Sequence, residues 1–255
     1  MLTKLNVITG FLGGGKTTLM RHLLEKPWDR GATGVVVGEF AENGYDGSRL
    51  EFDDVELEMV VGADPLSGAD QLVEAAKRLL KKRTLTRLFV ETSGVTEAAR
   101  LAQRLRSDEW LRERVEFSRT AVVVDAQAFF HHIDHFAPQL SIQLSIADLV
   151  VLNKTDGLEP DVIEAIKTQI LALNESCQIE TCYMGQIRRH KLLGPLEEDE
   201  HPKLLSQEAQ ENALREFDWF LFETPKICLD RVMFGHILLN LPIHIARFKG
   251  ILRCH

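Results

Sequence analysis

The sequence is short of the features that mark several whole classes of protein. Its 30 Lys and Arg against 38 Asp and Glu give a formal net charge of −8, which leaves no basic footprint for nucleic acid. No apolar run approaches the roughly 18 residues of a membrane-spanning helix, so no membrane partner is expected. Met1-Leu2-Thr3-Lys4 runs directly into a strand-like segment, which argues against a signal or transit peptide. The four cysteines (Cys177, Cys182, Cys228, Cys254) include no CxxC pair and read as structural thiols rather than disulfides. No internal repeat is visible. With 45% apolar and 27% charged residues over 255 positions, the expectation is a globular cytoplasmic protein of one large domain, with or without a small appendage.

What is present is a glycine loop in a specific setting. Gly10-Phe11-Leu12-Gly13-Gly14-Gly15-Lys16-Thr17-Thr18 fits G-x-x-x-x-G-K-[ST]. Leu5 to Thr9 before it reads as a buried strand, and Thr18 to Glu25 after it has the apolar spacing of an amphipathic helix. Strand, glycine loop and helix start together make an anion site, because successive amides curl around a phosphate and the helix dipole favours its charge. Gly13, Gly14, Gly15, Lys16, Thr17 and Thr18 are the expected phosphate-binding residues. Lys16 reaches the β- and γ-phosphates, and the Thr17 hydroxyl holds Mg²⁺.

Further along, apolar runs alternate with helical patterns. Strands are expected at Gly34–Gly38, Val55–Val61, Leu88–Val90, Ala121–Val124 and Leu149–Leu152, and helices at Ala69–Lys82 and Pro160–Asn174. The predicted fold is α/β, a doubly wound and mainly parallel sheet of the P-loop NTPase kind with a small α+β piece at the C-terminus. Expected boundaries are a nucleotide domain over 1–193, an acidic linker over 194–217 and a partial C-terminal domain over 218–255, with strands near Trp219–Phe222 and Ile245–Leu252 and a helix over Asp230–Leu241.

Two further segments lie at predicted strand ends. Asn153-Lys154-Thr155-Asp156 follows the strand Leu149–Leu152. A carboxylate at Asp156 accepts from both the N1–H and the 2-amino group of guanine. Adenine offers neither, and an unpaired buried group costs about 1–3 kcal/mol. Asn153 is expected to fix the loop and touch the base edge, and the Lys154 stem to cover the base face. Glu91, after Leu88-Phe89-Val90, is the expected second Mg²⁺ ligand and helps place the attacking water; Glu91 and Lys16 are the expected catalytic pair. The competing reading of Glu91 is an acid at a helix start, with Thr92 or Ser93 as cap.

These segments together resemble the CobW-like family of P-loop GTPases. The resemblance is carried by Ile8–Leu19, Glu39-Phe40-Ala41-Glu42-Asn43-Gly44-Tyr45-Asp46-Gly47, Glu91-Thr92-Ser93-Gly94, Val124-Asp125-Ala126, Asn153–Asp156 and Arg247-Phe248-Lys249-Gly250-Ile251-Leu252. It implies a Mg²⁺-dependent GTPase whose turnover is coupled to delivery of a metal or metallocofactor, or to assembly of a metalloprotein client. The loop Glu39–Gly47 would then be a switch ordered by the γ-phosphate. No arginine finger is identifiable, so slow intrinsic hydrolysis, accelerated by a partner or a dimer mate, is expected.

Two departures stand out. Where the family carries Cys-x-Cys-Cys, this chain reads Val61-Gly62-Ala63-Asp64-Pro65-Leu66-Ser67, so zinc or cobalt cannot be held there through thiolates. Asp64 and Glu39 offer oxygens suited to harder ions. His131-His132-x-x-His135 is the substitute candidate, with His131 and His135 on one helix face; the plainer reading is three partly exposed histidines at a helix start. The chain also stops soon after the Arg-x-Lys-Gly element, which suggests a natural truncation, a fragment, or a homodimer covering the open sheet edge. The rival functions are a GTP-dependent assembly switch that moves no metal, and a P-loop kinase acting on a small molecule.

Overall fold

Continuous runs of β-branched residues form strands buried on both faces, as a parallel sheet covered on both sides requires. The computed structural model describes residues 2–25, 32–39, 55–61, 67–92, 98–194 and 230–240. Among these, seven strands make one sheet: β1 (Thr3–Thr9), β2 (Thr33–Glu39), β3 (Val55–Val61), β4 (Arg87–Glu91), β5 (Val115–Asp125), β6 (Leu149–Asn153) and β7 (Gln178–Thr181). Their order is β3-β2-β4-β1-β5-β6-β7, and every pairing is parallel. The chain runs from β1 to β2 and β3 on one side, returns to lay β4 beside β1, and then crosses to β5, β6 and β7 on the other. Its ligand-binding crevice is therefore expected at the C-terminal end of β1, where the direction of winding reverses.

Strand periodicity sorts the core into two layers. Val7, Val36, Leu88, Val90, Val122, Val124, Val150 and Leu152 face one way. They meet α2 (Gly68–Lys82), α3 (Ala98–Ser107), α5 (Phe129–Ser145) and α6 (Pro160–Leu173). Ile8, Val35, Val37, Phe89, Ala121, Val123 and Val151 face the other way, onto α1 (Lys16–Leu24) and α7 (Arg189–Leu193). A short α4 (Glu109–Arg112) precedes β5, with the Asp108 carboxylate accepting from the Leu111 amide as its cap. On the edge strand β3, Glu56 and Glu58 pair with Lys82, Arg83 and Arg78 of α2. Such charges blunt an edge against pairing with another chain.

Helix α5 is broken. Pro138 cannot donate to the carbonyl one turn back and clashes with it. Two residues earlier, Phe136 leaves helical geometry at φ −136, ψ 31.

The expected strands and helices over 5–9, 34–38, 55–61, 69–82, 88–90, 121–124, 149–152 and 160–174 all appear, β5 being several residues longer than its apolar run. β7 was not anticipated, because Gln178-Ile179-Glu180-Thr181 is an edge strand with little apolar content. The contacts divide the chain into a unit over 1–215 and a second over 216–255. Within the second, α8 (Arg231–Leu239) falls inside the helix expected over 230–241. The strands expected at Trp219–Phe222 and Ile245–Leu252 lie outside the described residues. Among the described residues no helix is long and apolar enough to cross a membrane.

Phe89 sits fully buried in the β4 strand against Ile8, Val37 and the α1 layer. Phe89→Ala should cost about 3–5 kcal/mol in urea unfolding. A loss under about 1 kcal/mol would contradict this placement of the core.

Candidate functional site

The C-terminal ends of β1, β4, β5 and β6 converge on the glycine loop. Gly10 follows β1 at φ 138, and a Cβ there would lie 2.2 Å from the Val123 carbonyl oxygen of β5. Only glycine lets the loop turn this close to the neighbouring strand. Gly15, the N-cap of α1, has φ 104, and a Cβ on it would meet the Asn153 amide nitrogen at 2.4 Å. The Lys16 ammonium is buried and donates to the carbonyls of Gly10 (2.8 Å) and Phe11 (3.2 Å). Its charge is thus held over the loop and beside the positive end of α1.

Thr17, in the first turn of α1, donates its hydroxyl to Glu91 Oε1 at 3.0 Å. Glu91 is the buried last residue of β4, in register with Ile8 and Val37. The next residue locks it there: the Thr92 amide donates to the Ile8 carbonyl and the Thr92 hydroxyl to Thr9 Oγ1 at 2.8 Å. The two oxygens expected to hold Mg²⁺ are therefore neighbours. A hydroxyl and a carboxylate at one edge of a phosphate loop are the hard donors that ion takes. Glu39 ends β2 beside Val61 of β3. The rest of the loop to Gly47, together with Gly62–Leu66, lies outside the described residues.

Asn153 joins the second segment to the first. It is buried, donates through Nδ2 to the Gly14 carbonyl at 2.9 Å and accepts through Oδ1 from the Gly185 amide at 3.0 Å. Cys182 Sγ also donates to Oδ1, at 3.4 Å. Both ends of the side-chain amide are thus committed to neighbouring loops. Lys154 follows in the left-handed region at φ 59, and its ammonium pairs with Asp125 Oδ2 at 2.5 Å. Asp125 Oδ1 accepts from the amides of Gln127 and Ala128, closing the turn from β5 into α5. Gln127 Nε2 donates to the Asp156 carbonyl at 3.1 Å, and the Asp156 side chain is exposed. Thr155 donates through N and Oγ1 to the Cys182 carbonyl.

Sequence reasoning gave Asp125 no role and missed the Cys182–Gly185 loop. Asp125 could have been found as an acid directly after a buried apolar run and four residues ahead of a helix. Phe11 was read only as a loop position, yet its ring packs 4.7 Å from the His132 ring and 5.1 Å from Phe136. The three histidines are also not equivalent. His131 and His135 are exposed, but His132 is buried beneath the loop, where burial pushes its imidazole below the ordinary value against the opposing pull of Asp125. The expectation of three partly exposed rings is corrected for His132, because the helix turns that position onto Phe11.

A parallel sheet with a glycine loop at its switch point, a buried lysine and a strand-end acid defines a P-loop nucleotide-binding protein. A family model described as CobW/HypB/UreG, nucleotide-binding domain, matches residues 4–180. The zinc chaperone CobW of Sinorhizobium sp is 28% identical over 291 residues, covering 98% of this chain and 77% of that one. The zinc-regulated GTPase metalloprotein activator 1 of Schizosaccharomyces pombe is 28% identical over 191 residues, covering 69% of this chain and 45% of its own. The Zn(II)-bound YjiA GTPase from E. coli has the same fold, with a TM-score of 0.57 at 20% identity over 94% of this chain and 77% of that one. The chain belongs to the CobW/HypB/UreG family of P-loop GTPases.

Two predictions come from this geometry. Asn153→Ala leaves the Gly14 carbonyl and Gly185 amide without their partner, at about 1–3 kcal/mol for each buried group. Urea unfolding should register that loss together with weakened nucleotide binding; an unchanged midpoint would contradict the bridging role. Cys177 and Cys182 are buried and their thiols are pushed up to about 11. At pH 8 only about one in a thousand is thiolate, so iodoacetamide should label neither until urea is added, as read by peptide mass spectrometry. Labelling in native protein at a free-thiol rate would contradict it. The sign for stability follows: each raised thiol favours folding below its ordinary value of 9.0, and that contribution is lost as pH climbs toward about 11.

Proposed function

We propose that this chain binds and hydrolyses GTP with Mg²⁺ and couples turnover to delivery of a metal or metallocofactor, or to assembly of a metalloprotein client. The observation that carries the reading is the Asn153 bridge. It ties the Asn153–Asp156 segment to the phosphate loop through the 2.9 Å bond to Gly14, so a base reader and a phosphate cradle belong to one rigid edge. The exposed Asp156 carboxylate accepts from guanine N1–H and its 2-amino group, and Lys154 lies over the base face, steadied by Asp125.

The amides of Gly13 to Thr18 receive the phosphates. Lys16 exchanges the carbonyls of Gly10 and Phe11 for β- and γ-phosphate oxygens, and its charge is preorganised for the negative charge that spreads over the transferring group. Thr17 and Glu91 are the residues that would hold Mg²⁺, with Glu39 the remaining carboxylate candidate; when bound, the ion neutralises charge between the β- and γ-phosphates. Glu91 also orients the attacking water. No arginine finger is assigned, so a partner or a second copy is the expected source of acceleration.

The relatives named as zinc chaperones support the metal half of the reading. A second reading is favoured by one sequence observation, the replacement of every thiol in Gly62-Ala63-Asp64-Pro65-Leu66-Ser67. A chain without those sulfurs suits an assembly switch that reads GTP but passes on no thiolate-bound zinc or cobalt. A small-molecule kinase ranks last, because the guanine-reading segment argues against ATP.

Lys16→Ala should reduce GTP turnover by about 10²-fold or more with unchanged far-UV circular dichroism. Turnover within about twofold of the parent protein would overturn the phosphate assignment.

A further inference from the structure

We propose that His131 and His135 form a two-imidazole site for a divalent transition ion on the exposed side of α5. The proposal goes beyond the nucleotide reading and does not rest on it. Four residues apart on the regular first stretch of α5, the two side chains stand one above the other. Both are exposed, and their ring centroids lie 4.6 Å apart. His132 between them points inward onto Phe11 and takes no part.

An imidazole nitrogen sits about 2.0–2.1 Å from a bound divalent metal, so rings whose centroids are 4.6 Å apart lie within reach of a single ion. A second observation points the same way. Phe136, buried at the break in α5, meets both rings edge-on at centroid distances of 6.1 and 6.4 Å, with interplanar angles of 66° in each case. Its fixed ring restricts both histidine rotamers, so less side-chain entropy is lost when an ion binds.

Among the described residues no group of three His, Cys, Asp or Glu converges to hold a metal. Two protein ligands leave the remaining coordination positions to water or to an incoming donor, which suits an ion that is passed on rather than stored. The chain's formal net charge of −8 favours cations further.

The test is isothermal titration of the full chain with Ni²⁺ and with Zn²⁺, comparing the parent with His131→Ala, His135→Ala and the double variant. One Ni²⁺-binding step should vanish in the double variant and weaken about tenfold or more in each single variant. Circular dichroism and GTP affinity should be unchanged, so failure of the nucleotide reading would show separately as no GTP binding in any of the four proteins. Superimposable titrations of parent and double variant would overturn the site. If the double variant does not fold, Cu²⁺ electron paramagnetic resonance on the parent decides. Hyperfine coupling to two imidazole nitrogens supports the site, and its absence through a full titration overturns it.

Discussion

A single side-chain amide holds the nucleotide edge of this protein together. Asn153 ends β6, and its Nδ2 and Oδ1 bind the phosphate loop at Gly14 and the post-β7 turn at Gly185. Buried amides are costly unless both ends are satisfied, and here both are. The constraint runs in the other direction too. Gly15 must be glycine because any Cβ would collide with that amide. A residue early in the chain is thus chosen by one far along it, and the sheet is what brings them face to face.

The rest of the site follows from the same edge. Because β1 is central and winding reverses there, the ends of β4 and β6 flank the loop on opposite sides. β4 delivers Glu91 to Thr17, and β6 leads into Lys154 and Asp156, the residues proposed to read the base. Asp125 at the end of β5 steadies Lys154 and starts α5. That helix in turn packs Phe136 and His132 under Phe11, so the floor of the loop is aromatic while its rim is polar. The break at Phe136 also sets the two exposed histidines in the geometry proposed for a metal. Nucleotide edge and candidate ion site are therefore two faces of one helix–strand unit.

Much of this was legible in the residues because local signals and global fold agree. The glycine loop sits between a strand and a helix, and short valine runs bounded by turn residues suit buried parallel strands, so the α/β class, the positions of Lys16 and Thr17 at a helix start and those of Glu91 and Asn153 at strand ends could be read directly. What could not be read were long-range packing choices. Nothing local marks Asn153 as spending its amide on Gly14 and Gly185 rather than on a base. His132 looks like its neighbours until the helix phase turns it inward. β7 is polar enough to pass for a loop, and Pro138 signals a break without saying which ring the break positions. Family resemblance supplied the GTPase expectation, and the missing thiols after Gly62 remain the point at which this chain parts from it.

The central claim is that one rigid edge reads guanine and cradles phosphate together. Calorimetric titration of the full chain with GTP and with ATP, each with excess Mg²⁺, tests it most directly. The account predicts GTP bound at least about tenfold more tightly, a difference of about 1.4 kcal/mol. Equal affinities, or tighter binding of ATP, would contradict it.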